Sequence, residues 1–155
     1  MQLAAYAKDA QWEQAMRLLK SISSLGEGLK PNVVSYNNVM TACANAKKLK
    51  MAEGLYHEMK DDQGLRPNVF TFGALTKACA KRGDWESAVA HLEGMREEGL
   101  TPNPIVYSTV INACEKSGQW WRAVELLRAM RKEGILPVTF TYNSVISACG
   151  KCGQW

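Results

Sequence analysis

An aromatic residue recurs at Tyr36, Phe72, Tyr107 and Tyr142, and a cysteine follows each of them seven residues later, at Cys43, Cys79, Cys114 and Cys149. Successive aromatics are 36, 35 and 35 residues apart. Self-similarity at such a period marks stacked supersecondary units, none of which can bury its apolar face alone. Two more markers keep the same beat. One is an alanine at Ala15, Ala52, Ala88 and Ala123; the other is a closure at Pro31-Asn32, Pro67-Asn68 and Pro102-Asn103 that becomes Pro137-Val138. The chain is thereby confined to a helical repeat array, an architecture suited to extended partners.

Each unit reads as two helices. Apolar residues fall at i, i+3, i+4 and i+7 in Tyr36, Val39, Met40, Cys43, again in Tyr107, Val110, Ile111, Cys114, and again in Tyr142, Val145, Ile146, Cys149. That is the period of an amphipathic helix with one buried stripe. Phe72, Leu75, Thr76, Cys79 keep the pattern with one polar slip. A second stripe follows as Trp85, Ala88, Val89, Leu92, Met95 and as Trp120, Ala123, Val124, Leu127, Met130. Gly83 and Gly118 break the chain between the two helices. Gly99 and Gly134, each three residues before a proline, end the second one.

Residues 33–68, 69–103 and 104–138 read as complete units, with partial ones at 1–32 and 139–155. Leu3, Ala5 and Tyr6 align with Ile111, Ala113 and Cys114, and Trp155 aligns with Trp12, Trp85 and Trp120. Arrays normally end in atypical capping units, so a segment of a longer array is expected. Two inserted stretches, Ser24–Gly28 and Asp61–Gly64, are expected to lengthen the turns without disturbing the stripes.

No run of 18 apolar residues occurs, which excludes a membrane-spanning helix, and no strand-period alternation appears. The chain carries a net charge of +4. The expected first-helix stretches 1–9, 33–46, 69–82, 104–117 and 139–152 hold Lys8, Lys77, Lys81, Arg82, Lys116 and Lys151 against Asp9 and Glu115, and so account for the whole excess. In an array one helix of each pair lines one surface. A basic first-helix surface is either the footprint of a polyanion or simply a solvated basic face.

Tyr36-Asn37 and Tyr142-Asn143 opening a helix, the periodic alanine, Met59, Met95 and Met130 near the end of the second helix, and the Gly-x-x-Pro-Asn closure together resemble the pentatricopeptide repeat. The resemblance covers the whole chain. Tetratricopeptide units are 34 residues long and carry a Trp-x-x-Leu-Gly-x-x-Tyr string that is absent here, while HEAT and armadillo units run to about 40 residues or more. The family implies an all-α solenoid, a right-handed superhelix with first helices on the concave face. It also implies binding of single-stranded RNA, mostly in a chloroplast or mitochondrion, at one nucleotide per repeat, with no catalysis, no cofactor, no DNA partner and no membrane insertion.

In that family two residues per unit read the base, one after the first-helix aromatic and one after the closing proline. The resemblance therefore implies pairs Asn37 with Asn68, Gly73 with Asn103, and Ser108 with Val138, while Asn143 and Asn32 each belong to an incomplete pair. An Asn amide offers both a donor and an acceptor, and an Asn-Asn pair resembles a pyrimidine reader. Gly73 and Val138 have no side chain able to hydrogen-bond a base. Val34, Phe70, Ile105 and Phe140, two residues before the aromatics, match the family's base-sandwiching positions, although apolar residues there also suit packing on the next unit. Lys8, Lys81, Lys116 and Lys151 match phosphate contacts, although lysine near a helix C-terminus is also favoured by the helix dipole. Asn45 stands where that lysine would recur.

Other constellations carry less. Cys149-Gly-Lys-Cys152 has the spacing of a zinc or redox half-site, but Cys149 is the repeat cysteine and a second ligand pair is missing from the sequence. The other cysteines read as small buried apolar residues, and His57 and His91 have no ligand cluster. The periodic tryptophans read as inter-unit packing, with Trp121 out of register. No metal, nucleophile–base pair or phosphate loop is indicated. Two function classes follow: an RNA-binding module, or a structural solenoid that clamps protein subunits of a large organellar complex such as a ribosome or bioenergetic assembly.

Overall fold

The computed structural model describes residues 11–26, 28, 30–62 and 64–154. Lys8, the aligned Leu3, Ala5 and Tyr6, and Trp155 lie outside the described residues. Among the described residues there are eight α-helices and no strand. The chain divides into two compact units, residues 1–78 and 79–155.

In the first unit α1 spans Trp12–Ser24, α2 Val33–Asn45 and α3 Leu49–His57, and α4 (Val69–Arg82) begins. Helix α2 packs on α1 and α3. The stripe expected from the sequence is the core: Tyr36, Val39, Met40 and Cys43 from α2 are fully buried beside Ala15, Ala52 and Leu55. In the second unit α5 spans Trp85–Glu97, α6 Pro104–Lys116, α7 Trp120–Lys132 and α8 Thr139–Lys151. Helix α6 packs on α5, α7 and α8. It buries Tyr107, Val110, Ile111 and Cys114 with Ala88, Leu92, Met95, Ala123 and Met130. Of the second α7 stripe, Leu126 rather than Leu127 is the buried leucine, a shift of one residue around the helix. The polar slip in α4 costs little, because the buried Thr76 hydroxyl donates to the Phe72 carbonyl at 2.8 Å and needs no water.

The periodic cysteine has a backbone role as well as a packing one. The carbonyls of Cys43, Cys79, Cys114 and Cys149 accept the N–H groups of Lys48, Asp84, Gln119 and Gln154 at 2.8–3.0 Å, five residues on. This is the closing bond of a Schellman turn, which needs a left-handed residue just before the donor. Gly83, Gly118 and Gly153 supply it with φ near +70°, and Lys47 takes the same conformation at φ 58° despite its side chain.

The Asp61–Gly64 insertion does more than lengthen a turn. Residues Glu58–Asp62 continue α3 as a π-helical segment. The extra residue in the 36-residue spacing is taken up inside the helix end. Accordingly the Met59 carbonyl accepts from Leu65, six residues on, whereas Met95 and Met130 accept from Leu100 and Ile135, five residues on. Such single-turn widening is how a helix absorbs an insertion without losing its buried face, and Met59 stays fully buried.

Candidate nucleic-acid interface

The residue after each closing proline is the N-cap of the next first helix. Asn32 and Asn103 each accept, through Oδ1, a backbone N–H three residues on, from Ser35 and Val106, both at 2.9 Å. Asn68 does the same for Thr71 at 3.1 Å. Asparagine suits this position because its short carbonyl reaches an otherwise unpaired first-turn amide. Val138 caps α8 without such a bond.

Asn37 and Asn68 are 31 residues apart in the chain, yet Asn37 Nδ2 donates to Asn68 Oδ1 at 3.0 Å. Thr71, fully buried, joins them: its Oγ1 donates to Asn37 Oδ1 at 2.7 Å and accepts from the Asn68 backbone N–H at 3.0 Å. Both amide carbonyls therefore accept within the protein, Asn68 Oδ1 from two donors and Asn37 Oδ1 from one. This arrangement turns the Asn37 carbonyl towards the buried Thr71, which bears on the expectation that Asn37 can offer a base either a donor or an acceptor. Ser108 and Val138 are joined in a similar way. The buried Ser108 Oγ lies 2.5 Å from Thr141 Oγ1, which accepts from the Val138 N–H at 3.1 Å. Gly73 offers no group, and a β-carbon there would meet open space. Asn143 is exposed.

Val34, Phe70, Ile105 and Phe140 stand on the first turns of α2, α4, α6 and α8 and are 62, 77, 72 and 52% exposed. Burial begins two residues later in α2, at Tyr36, and one residue later in α4, α6 and α8, at Thr71, Val106 and Thr141; in α8 the expected stripe is only partly buried, with Tyr142 41% and Ile146 57% exposed. Of the candidate phosphate-binding lysines, Lys116 is exposed and Lys81 half-buried, and neither makes an ion pair among the described residues. Lys151 differs, because its Nζ lies 3.0 Å from Glu115 Oε1. Glu115 also accepts from Ser147 at 2.8 Å and Asn112 at 3.1 Å. Burial pulls the Glu115 pKa upward, but the hydrogen bonds from Lys151 and Ser147 outweigh it and hold the carboxyl below its ordinary 4.5.

Thr71 and Thr141 escaped the sequence reading, although the signal was present: each directly precedes a periodic aromatic and stands three residues after the N-cap, where a hydroxyl can close a capping box. Glu115 was counted only as a charge. Two aromatic hydroxyls also found partners that no spacing announced. Tyr36 donates to Glu58 at 3.0 Å, and Tyr107 accepts from Arg96, which also pairs with Glu133 at 2.5 Å. Burial pushes the Cys43 and Cys114 thiols up to about 11, the condition of packing residues rather than nucleophiles. Trp85 meets Trp121 edge-on at 6.2 Å.

Comparison with known proteins completes the description. The model of the PPR repeat family matches residues 31–81 and 102–151, and that of the pentatricopeptide repeat domain matches residues 57–117. A search of curated protein sequences finds no match. Among solved structures, the pentatricopeptide repeat protein PPR10 from maize superposes with a TM-score of 0.82 at 24% identity, over 98% of this chain and 21% of that one. PPR10 in complex with an 18-nt psaJ RNA element gives 0.80 at 29% identity, over 96% and 22%. The PPR domain of Arabidopsis thaliana protein-only RNase P 1, in complex with tRNA, gives 0.66 at 14% identity, over 96% and 95%. The fold is an all-α solenoid, and the chain spans about a fifth of the length of PPR10.

Proposed function

Because the chain belongs to the pentatricopeptide repeat family, we propose that it is an array segment that binds single-stranded RNA through its first helices. In this reading residues 33–68, 69–103 and 104–138 are whole repeats, and the segment serves organellar RNA processing, stability or translation, without catalysis of its own. The observation that carries the proposal is the Asn37–Asn68 contact. Two polar side chains far apart in sequence meet at 3.0 Å, at the positions that resemble the family's base-reading pair. Exposed Val34 and Phe70 lie close by in sequence. Large apolar side chains left in solvent at a regular helical position suit base stacking, which contributes ~1–3 kcal/mol per base. Lys81 and Lys116, with Lys8, then neutralise phosphates.

The test is fluorescence polarization with random single-stranded RNA across a salt series. Three to four neutralised phosphates give a log–log slope of about −2 to −3, at roughly −0.7 each. Lys116→Ala should weaken all sequences alike and flatten that slope by about 0.7. A slope near zero would favour the protein-scaffold reading, which the missing base-reading groups at Gly73 and Val138 already support in part. The base preference belongs to Asn37 and Asn68. Replacing Asn68 by Asp, or Asn37 by Thr, should change the affinity ranking of homopolymers by about tenfold, near 1.4 kcal/mol. Unchanged rankings would mean that this surface does not read bases.

A further inference from the structure

The hydrogen bonds around Asn37 form a chain in which each member fixes the next. The Thr71 backbone N–H can only donate, so the atom of Asn68 facing it at 3.1 Å must be the carbonyl Oδ1. That oxygen in turn faces Asn37 at 3.0 Å, so the Asn37 atom there must be the donor Nδ2. Asn37 Oδ1 is then turned towards Thr71 Oγ1 at 2.7 Å. The Thr71 hydroxyl accepts the Asn68 N–H at 3.0 Å and has one proton to give. Two acceptors lie in reach, Asn37 Oδ1 at 2.7 Å and Asn68 Oδ1 at 3.2 Å. The shorter contact takes the proton, because Asn68 Oδ1 already holds two.

Thr71 is fully buried and is not itself a contact for RNA. We propose that Thr71 is a positioning residue that locks the Asn37–Asn68 amides so that only donor hydrogens face a bound base. Resting on the RNA-binding reading, this narrows the pair's choice. What remains unspent is the second hydrogen of Asn37 Nδ2 and both hydrogens of Asn68 Nδ2, together with one lone pair of Asn37 Oδ1, an oxygen turned towards the buried Thr71. Among the four bases, cytosine alone presents two adjacent acceptors, N3 and O2, on its Watson–Crick edge. Uracil places an N3–H donor between its two acceptors. A donor-only pair therefore favours cytosine over uracil, whereas an amide free to expose its carbonyl would accept either.

The second unit repeats the wiring with different chemistry. Thr141, also fully buried, accepts the Val138 N–H and shares a hydrogen bond with Ser108 Oγ at 2.5 Å, in which either hydroxyl can donate. The same threonine thus orients two different residues that follow a periodic aromatic.

The test compares the parent with Thr71→Val and Thr71→Ser, using short oligo(C) and oligo(U) RNA. Val106 already fills the equivalent position in α6 and is buried there, so Thr71→Val is expected to keep its helical circular-dichroism spectrum; Thr71→Ala is the smaller alternative should it not. The parent should prefer oligo(C) by at least about fivefold. Thr71→Val should bring that ratio to within about twofold by freeing the Asn37 carbonyl, and Thr71→Ser should restore it. A ratio that survives Thr71→Val, or a parent that prefers oligo(U), overturns the proposal. A readout without RNA separates this from the RNA-binding reading itself. The Asn37 side-chain carbonyl carbon should shift upfield in the NMR spectrum of Thr71→Val and return in Thr71→Ser. If the parent binds no RNA but the shift occurs, the lock stands and the RNA reading falls; an unmoved carbonyl removes the lock.

Discussion

The network around Thr71 and the one around Thr141 make an instructive pair. Both place a buried threonine three residues after a helix N-cap, accept that cap's backbone N–H on its hydroxyl, and bond through the same hydroxyl to the residue after a periodic aromatic. What differs is the group being oriented. Asn37 is held from two sides, by Thr71 and by the Asn68 side chain. Ser108 is held from one, because Val138 has no polar side chain to offer. The backbone frame and the exposed chemistry are thus separable: the turn, cap and threonine can persist while the base-facing groups change.

The comparison can be broken by stability measurements. Asn37→Leu removes the two bonds its amide makes, to Asn68 Oδ1 and from Thr71 Oγ1, and leaves the Thr71 hydroxyl only the longer 3.2 Å contact to Asn68 Oδ1 for its proton. A loss of ~1–3 kcal/mol is expected, from two hydrogen bonds at ~0.5–1.5 kcal/mol each. Ser108→Ala removes one neutral bond and should cost about 1 kcal/mol. Urea denaturation of the two variants measures the difference. Equal losses would mean that the second tether, Asn68, adds nothing and that the two networks are energetically alike.

A smaller effect sharpens the same contrast at the turns. Gly118 and Lys47 occupy equivalent left-handed positions, at φ 73° and 58°. A β-carbon at Gly118 would lie 3.9 Å from Cys152 Sγ, an ordinary contact, so the cost of Gly118→Ala is in the backbone rather than in crowding. It should be ~1–2 kcal/mol. Lys47→Gly should release part of the same strain and stabilise by up to about 1 kcal/mol, offset by the greater freedom of glycine in the unfolded chain. Thermal denaturation decides the sign. A destabilised Lys47→Gly would show that the lysine side chain contributes more than its backbone strain costs.

Much of this frame was legible in the sequence because its causes are local and periodic. The aromatic, cysteine and alanine beats are packing or turn requirements that recur along the chain, so repetition amplified them, although in α8 the periodic Tyr142 is 41% exposed. The Asp61–Gly64 insertion was seen but misread as a longer turn. Whether one extra residue enters a loop or widens a helix depends on keeping Met59 buried, which is a tertiary matter. The Asn37–Asn68 pairing came through family resemblance, while its donor direction did not. That direction is set by Thr71, a residue whose meaning depends on a hydrogen bond spanning 34 residues. Glu115 failed for a similar reason: a charge count registers its sign but not the lysine it holds.

The smallest expected effect concerns that carboxylate and contrasts Lys151, which is engaged, with Lys116, which makes no ion pair among the described residues. The Lys151 side chain is half-exposed and screened by water, so its pair with Glu115 should contribute only ~0–1 kcal/mol to stability. Glu115→Gln keeps a side chain able to serve Asn112 or Ser147 but removes the charge. Because the folded-state pKa of Glu115 is held below 4.5, its contribution is present above about pH 4.5 and fades as pH falls through the folded value. Stability of the parent minus that of Glu115→Gln should therefore be small and positive at pH 7 and vanish in acid. RNA binding gives the more telling comparison. Glu115 withdraws Lys151 from any phosphate and repels phosphate itself, so Glu115→Gln should tighten binding at low salt and steepen the log–log salt slope by about 0.7, one phosphate's worth on a single strand. Lys116→Ala should move the slope by the same amount in the opposite direction. If Glu115→Gln leaves the slope unchanged while Lys116→Ala flattens it, Lys151 contributes no phosphate contact even when released, and the phosphate track passes Lys116 without reaching the end of α8.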